Sequence, residues 1–195
     1  MTRRLTQRGR DRRTQIMREA GRLFSEQGYH PTSVADIVAA LGVGKGVFYW
    51  YFPSKDELLI EILRSAQQDL RRKQRAAIGD EPDALRRIEL GIRASLVWFH
   101  EHRASFNLFQ FAASEERFAP VLRNNHEVAI ADTARHIKEA IVEGRIADQD
   151  PHLLAEAVVG VTERLGRAFL LQRDDSVDQV ADATVAFCLR GLSGE

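Results

Sequence analysis

Apolar residues along this chain recur at intervals of three and four, and almost nowhere in strict alternation. Ile16, Ala20, Leu23 and Phe24 form one stripe, and Leu58, Ile62 and Ala66 form another. Leu85, Ile88, Ile92, Leu96 and Phe99 make a third; Ile130, Ala134, Ile137 and Ile141 make a fourth. Leu153, Ala157, Gly160 and Val161 lead through Leu165 to Phe169, and Val177, Val180, Thr184 and Phe187 close the series. Residues at this spacing share one helical face, so the pattern predicts an all-α protein of roughly nine helices. Nothing reads as a strand; the run from Val47 to Phe52 is too short to assign by period.

The breaks between stripes carry turn chemistry. Gly28-Tyr29-His30-Pro31 ends the first helix with a glycine past the last turn and a proline behind it. Leu41-Gly42-Val43-Gly44 is a tight turn, and Ser54 is a candidate N-cap followed by Asp56 and Glu57. Gly79 to Pro82 and Gly144 to Pro151 separate later helices. The domain boundary is expected near the start of the helix that follows Ser54.

An apolar fraction of 44% allows a real core, and the formal net charge of zero taken alone argues against a polyanionic partner. The charge is unevenly spread, however. Residues 1–56 hold ten Lys and Arg against five Asp and Glu, whereas the remainder holds eighteen against twenty-three. A basic first quarter and an acidic remainder suggest that one part meets a polyanion. Cys188 is the single cysteine, so no intrachain disulfide forms, and its neighbours Phe187, Leu189 and Leu192 predict an inert core thiol. No apolar segment follows the basic N-terminal residues and none approaches the ~20 residues of a membrane span. The expectation is a soluble cytoplasmic protein without membrane contact.

The informative stretch is TSVADIVAALGVGKGVFYWYFPSK, residues 32–55. Ser33 followed by Asp36 is a capping-box pattern, and Val34, Ile37, Val38 and Leu41 supply the buried side of the helix it starts. Gly42 sits where the chain must turn sharply. A second short helix begins at Lys45, with Phe48 and Phe52 four apart on its buried face. Lys45, Tyr49 and, further around, Val47, Trp50 and Tyr51 are left on its outer side. That many aromatic residues cannot all be buried by one short helix. Facing a duplex they have a role: phenols can donate to phosphates, Lys45 adds charge, Gly46 permits close approach and Val47 can touch a thymine methyl. Two helices joined by a glycine turn, the second exposed, is the helix-turn-helix arrangement. A tight αα corner with aromatic filler is the competing reading.

These residues resemble the signature of the tetracycline-repressor (TetR) family: Ser33-Val34-Ala35-Asp36-Ile37, Leu41-Gly42-Val43, Lys45 through Phe52, then Ser54-Lys55-Asp56-Glu57-Leu58-Leu59. The likeness covers about residues 12–60 and implies a three-helix DNA-binding head over residues 1–56. It also implies an effector-binding, dimerising helical domain over residues 57–195. Carried over by position, the DNA-contacting set is Ser33, Lys45, Gly46, Val47, Tyr49, Trp50 and Tyr51, with Lys55 on a phosphate. Three positions depart from the family pattern. Gly44 replaces a side-chain cap, Trp50 sits where His is frequent and either packs or touches DNA, and Val47 often corresponds to Thr, which removes a donor. The arm residues Arg3, Arg4, Arg8, Arg10, Arg12 and Arg13 either contact phosphates or the minor groove, or form a solvated tail.

Small residues recur on the last two long helices. Ala157 and Gly160 with Val161 and Leu165 on one, and Val180, Thr184 and Phe187 on the other, could build a self-complementary four-helix dimer interface. A homodimer is what a palindromic operator requires. Trp98, Phe99, Phe106 and Phe109, with His102 and His126 nearby, could line an apolar pocket for a small-molecule effector, or simply fill the core. Glu163 and Arg167, one turn apart, either anchor a polar ligand or pair on a helix face. No zinc-protease, Cys-based zinc or di-iron spacing is present, and no Gly-rich phosphate loop, so neither cofactor, metal site nor enzyme activity is expected. The expected protein is a homodimeric repressor that releases an operator when a ligand binds.

Overall fold

A computed structural model describes residues 6–193; Arg3 and Arg4 of the basic arm lie outside them. The described residues form nine α-helices and no strand: α1 (Gln7–Gln27), α2 (Val34–Ala40), α3 (Lys45–Tyr51), α4 (Lys55–Ile78), α5 (Ala84–Glu101), α6 (Arg103–Ala113), α7 (Ala119–Val142), α8 (Pro151–Leu165) and α9 (Val177–Ser193). A 3₁₀ turn, Glu116–Phe118, precedes α7, and a π-helical segment, Gly166–Leu171, extends α8. The fold is all-α, as the periodicity predicts.

The chain divides into two compact units, Met1–Ala66 with Ala104–Val121, and Gln67–Arg103 with Leu122–Glu195. The expected boundary at residue 56 therefore moves. α4 continues as one unbroken helix across the divide, and the α6 region, 104–121, joins the first unit. The reason is burial: Phe106, Leu108, Ala112 and Phe118 need an apolar partner, and the ring of Tyr29 lies 5.0 Å from Phe111 and 5.8 Å from Phe118.

In the first unit, Ile16, Ala20, Leu23 and Phe24 of α1 are buried with Ile37 and Val38 of α2, Phe48 of α3 and Leu58, Leu59, Ile62 and Leu63 of α4. Thr6 caps α1 by accepting from the Gly9 amide. Gly28 closes α1 at φ 91°, a left-handed conformation that glycine adopts without a Cβ penalty. Ser54 caps α4 by accepting from the Glu57 amide at 3.1 Å.

In the second unit α5 packs mainly on α9. Ile88, Ile92, Leu96 and Phe99 meet a side of α9 that buries Val180, Ala181, Thr184, Val185, Cys188 and Leu192. Paired polar groups tie the helices together: Arg71 grips Asp132 at 2.7 and 3.1 Å, and Gln74 donates to Ser95 at 2.9 Å. Arg87 reaches His136, Glu139 and the carbonyls of Glu81 and Pro82. Burial pushes the Cys188 thiol up to about 11, which leaves it protonated and inert near neutrality.

At Gly166 the backbone packs directly against side chains of α5. A Cβ there would stand 2.8 Å from Phe99 Cδ2 and 3.2 Å from Leu96 Cδ2, both on buried side chains with no room to withdraw. Gly166→Ala should lose more by overpacking than it gains in helix propensity. The expected result is a net destabilisation of about 1–2 kcal/mol in urea unfolding.

Candidate nucleic-acid interface

The short helices α2 and α3 have seven residues each, too few to persist in isolation, so their ends and their packing must hold them. α2 starts with a complete capping box. The Asp36 amide donates to Ser33 Oγ at 3.2 Å, and the Ser33 amide and hydroxyl donate to Asp36 Oδ2 at 2.8 and 2.7 Å. The Ser33 hydroxyl and amide hold the Asp36 carboxyl below its ordinary value. The helix then ends on Gly42 at φ 64°, and the Val43 amide donates back to Val38 O at 3.0 Å. Gly44 begins α3 with extended backbone and no side-chain cap.

α3 is oriented by Phe48, which is 0% exposed, and by Phe52 just past its end at 1%. With these two rings in the core, Tyr49 and Trp50 remain 55% and 54% exposed, and Lys45 and Gly46 lie exposed on the same outward arc. Val47 and Tyr51 differ from the rest of the expected set. Both are only partly exposed, and both line a groove against the first turns of α1. Tyr51 also meets Trp50 edge-on at 4.5 Å. The outward arc thus presents an indole, a phenol, an ammonium and a bare glycine backbone, a combination of donors and flat rings able to meet phosphates and base edges.

Comparison with known proteins bears on this arrangement. Residues 16–62, from the buried stripe of α1 through the first turns of α4, match the family of bacterial regulatory proteins called the tetR family. Over those residues the chain is similar to the TetR family. Among curated relatives it is 30% identical over 120 residues to the transcriptional repressor KstR2 of Rhodococcus jostii, covering 60% of this chain and 59% of that protein, which is less than two thirds of its length. It is 28% identical over 196 residues to the transcriptional regulator TtgR of Pseudomonas putida, covering 93% and 90%. Among solved structures, a TetR-like transcriptional regulator from a Rhodococcus species is similar at 25% identity and a TM-score of 0.78, with 98% and 100% coverage. The family consists of transcriptional regulators, whose members bind DNA. Among the described residues no helix is long and apolar enough to cross a membrane.

Lys55 does not project from α4. Its ammonium donates to the carbonyls of Tyr29 and Thr32, both at 2.8 Å, and stands 4.2 Å from the centre of the Tyr29 ring. Burial lowers its pKa. The phosphate expected for Lys55 is thus replaced by carbonyls of the α1–α2 turn, which have no helical partner of their own. Tyr29 is the centre of a wider cluster: its hydroxyl donates to Asp56, and Arg117 bonds Asp56 at 3.4 Å and Glu115 at 3.0 Å. No sequence motif distinguishes Tyr29 or Arg117, since they lie 27 and 61 residues away from their partner Asp56.

The residues expected around an effector separate between the units. Phe106 and Phe109 belong to the first, and Trp98, Phe99, His102 and His126 to the second. Trp98 is buried, donates its indole N–H to Asp69 at 2.8 Å and stacks on His102 with ring centres 4.7 Å apart. Phe99 packs on Gly166. His126 pairs with Glu156 at 2.9 Å. Glu163 forms no ion pair with Arg167 among the described residues; desolvation raises its pKa, with His126 and Glu156 as its charged neighbours.

The residues expected at a dimer interface also separate. Ala157, Gly160 and Phe187 are exposed, Phe187 at 65%, and Val161 and Leu165 are partly so. Val180 and Thr184 are corrected: both lie in the chain's own core, and the Thr184 hydroxyl is spent on Val180 O at 2.6 Å. Leu153, expected in a buried stripe, is 64% exposed instead, because α8 packs inward through Ala155, Val158 and Thr162.

Lys55→Met keeps the alkyl stem of Lys55 but strands two carbonyls of the α1–α2 turn, one of them on buried Thr32. Losing a charged donor of this kind should cost about 1.5–3 kcal/mol. Chemical unfolding followed by fluorescence in a Trp98→Phe background checks the value, since Trp50, the remaining tryptophan, belongs to the same unit.

Proposed function

We propose that the chain is a homodimeric repressor that binds a pseudo-palindromic operator, one α3 per major groove, and releases it when a small molecule binds the second unit. The observation that carries the reading is the outward arc of α3. Phe48 and Phe52 occupy the core while Tyr49, Trp50 and Lys45 are exposed and, among the described residues, form no hydrogen bond or ion pair. An arc this rich in aromatic surface on a short helix is costly in water unless it meets a partner. The match of residues 16–62 to the tetR family of bacterial regulatory proteins supports the same partner.

Dimerisation is supported by a second surface. Leu153, Ala157 and Gly160 on α8 and Ala183 and Phe187 on α9 are exposed, mostly small or apolar, and lie opposite the buried sides of their helices. Two such pairs related by a two-fold axis form a self-complementary four-helix contact. The effector reading draws on Trp98, Phe99, His102 and His126 in the second unit, an apolar set with polar anchors, and on the family. Regulation would then be a coupling free energy between ligand and operator.

Tyr49→Ala combined with Lys45→Ala should weaken binding to a duplex selected by this protein on the order of a hundredfold, by removing two side chains at the groove. Unchanged affinity in an anisotropy titration would refute the reading. Phe187→Glu places a charge in the apolar patch on α8 and α9, and this variant should sediment as a monomer at concentrations where the parent chain is a dimer.

A further inference from the structure

The groove between α1 and α3 has a composition that the helix-turn-helix itself does not require. It encloses about 290 Å³ and is lined by Thr6, Arg8, Gly9 and Arg12 on one side and by Val47, Trp50 and Tyr51 on the other. One wall is thus cationic and the other aromatic. Gly9 places no side chain between the two arginines, which keeps the cleft open.

The arginines of α1 differ in their engagement. Arg13 is held by Glu61 at 2.6 Å and lies over the Phe52 ring, and Arg22 pairs with both Glu19 and Glu26. Arg8 and Arg12, the two in the groove, have no hydrogen bond or ion pair among the described residues. Arg12 is in addition partly buried. A guanidinium withdrawn from water without a carboxylate loses hydration and gains nothing from its own chain. An anion arriving in the groove would restore that loss with charge-assisted hydrogen bonds.

We propose that this groove seats the sugar–phosphate backbone of the bound duplex, with Arg8 and Arg12 on phosphate oxygens and the Trp50 ring against the deoxyribose. The proposal rests on the reading of α3 as the helix that enters the major groove. The strand that borders a major groove runs along the side of the inserted helix, and Val47, Trp50 and Tyr51 are the side of α3 that faces α1. The assignment also gives the partly buried Val47 and Tyr51 a task other than base contact: they form the wall that positions Trp50. Among the described residues of the basic arm, Arg10 is bonded to Gln7 and Arg13 is tied to α4, which leaves Arg8 and Arg12 for the duplex.

The test uses the full chain and a duplex recovered from a random-sequence pool by repeated selection with it. Binding is followed by anisotropy across a sodium chloride series. Arg8→Ala with Arg12→Ala should reduce the slope of log affinity against log salt by about 1.8, two phosphates at about 0.9 each. Affinities for the selected and a scrambled duplex should fall by the same factor, because phosphates carry no sequence information. Gly9→Leu fills the groove without changing charge or breaking the helix, and should weaken binding at least tenfold. A scan of single methylphosphonates should find one or two positions that penalise the parent chain but not the double variant. A parent-like slope and affinity in the arginine variant, or an identical methylphosphonate profile in both proteins, would overturn the groove assignment. If Lys45→Ala with Tyr49→Ala still abolishes binding in that case, the reading of α3 survives alone. If neither pair of substitutions matters, both fall.

Discussion

The geometry of the first unit depends on the burial of two rings, Phe48 and Phe52, on and just beyond a seven-residue helix. A helix of two turns has one narrow apolar side, and filling it with Phe48 leaves no space in the core for the aromatic residues that follow it in sequence. Tyr49 and Trp50 are outside because Phe48 is inside. Their exposure is therefore a consequence of packing, and the orientation of the outward arc is as rigid as the core that sets it.

That core is held by contacts remote from α3. The α1–α2 turn would leave its carbonyls unpaired if Lys55 did not reach back from α4 to bond two of them, with the Tyr29 ring under its ammonium. Tyr29 in turn contacts Phe24 of α1, Asp56 of α4, Phe111 of α6 and Phe118 beyond it. One side chain thus joins the helices that orient α3 to Phe111 and Phe118, 82 and 89 residues further along the chain. The ring contacts and the Arg117 ion pairs tie the segment that carries them to the α1–α2 turn within the first unit.

The second unit separates its apolar residues by direction. α8 and α9 each bury one side in their own unit and leave a narrower apolar strip outside, so the same helix serves a core and a surface. Thr184 and Phe187 illustrate the division: three residues apart on α9, one is fully buried and the other largely exposed. The π-helical segment after α8 belongs to the same packing, since Gly166 lets the backbone approach Phe99 and Leu96 more closely than any Cβ would permit.

The helical class, the glycine turns at Gly28 and Gly42, the Ser33–Asp36 box and the opposition of Phe48 to Tyr49 are all legible in the sequence, because each depends on residues within about one helical turn of each other. Periodicity does not say which stripe faces a core and which faces outward when a helix carries two, so it assigns Val180 and Thr184 to a surface and Leu153 to the interior. It does not show that Lys55 turns inward, or that Val47 and Tyr51 close a groove with Arg8 and Arg12, since those partners are separated by tens of residues. It does not join residues 104–121 to the first unit for the same reason. Short-range periodicity specifies the elements and their caps; only the packing of distant elements decides which charges are consumed inside the protein and which are left to meet a partner.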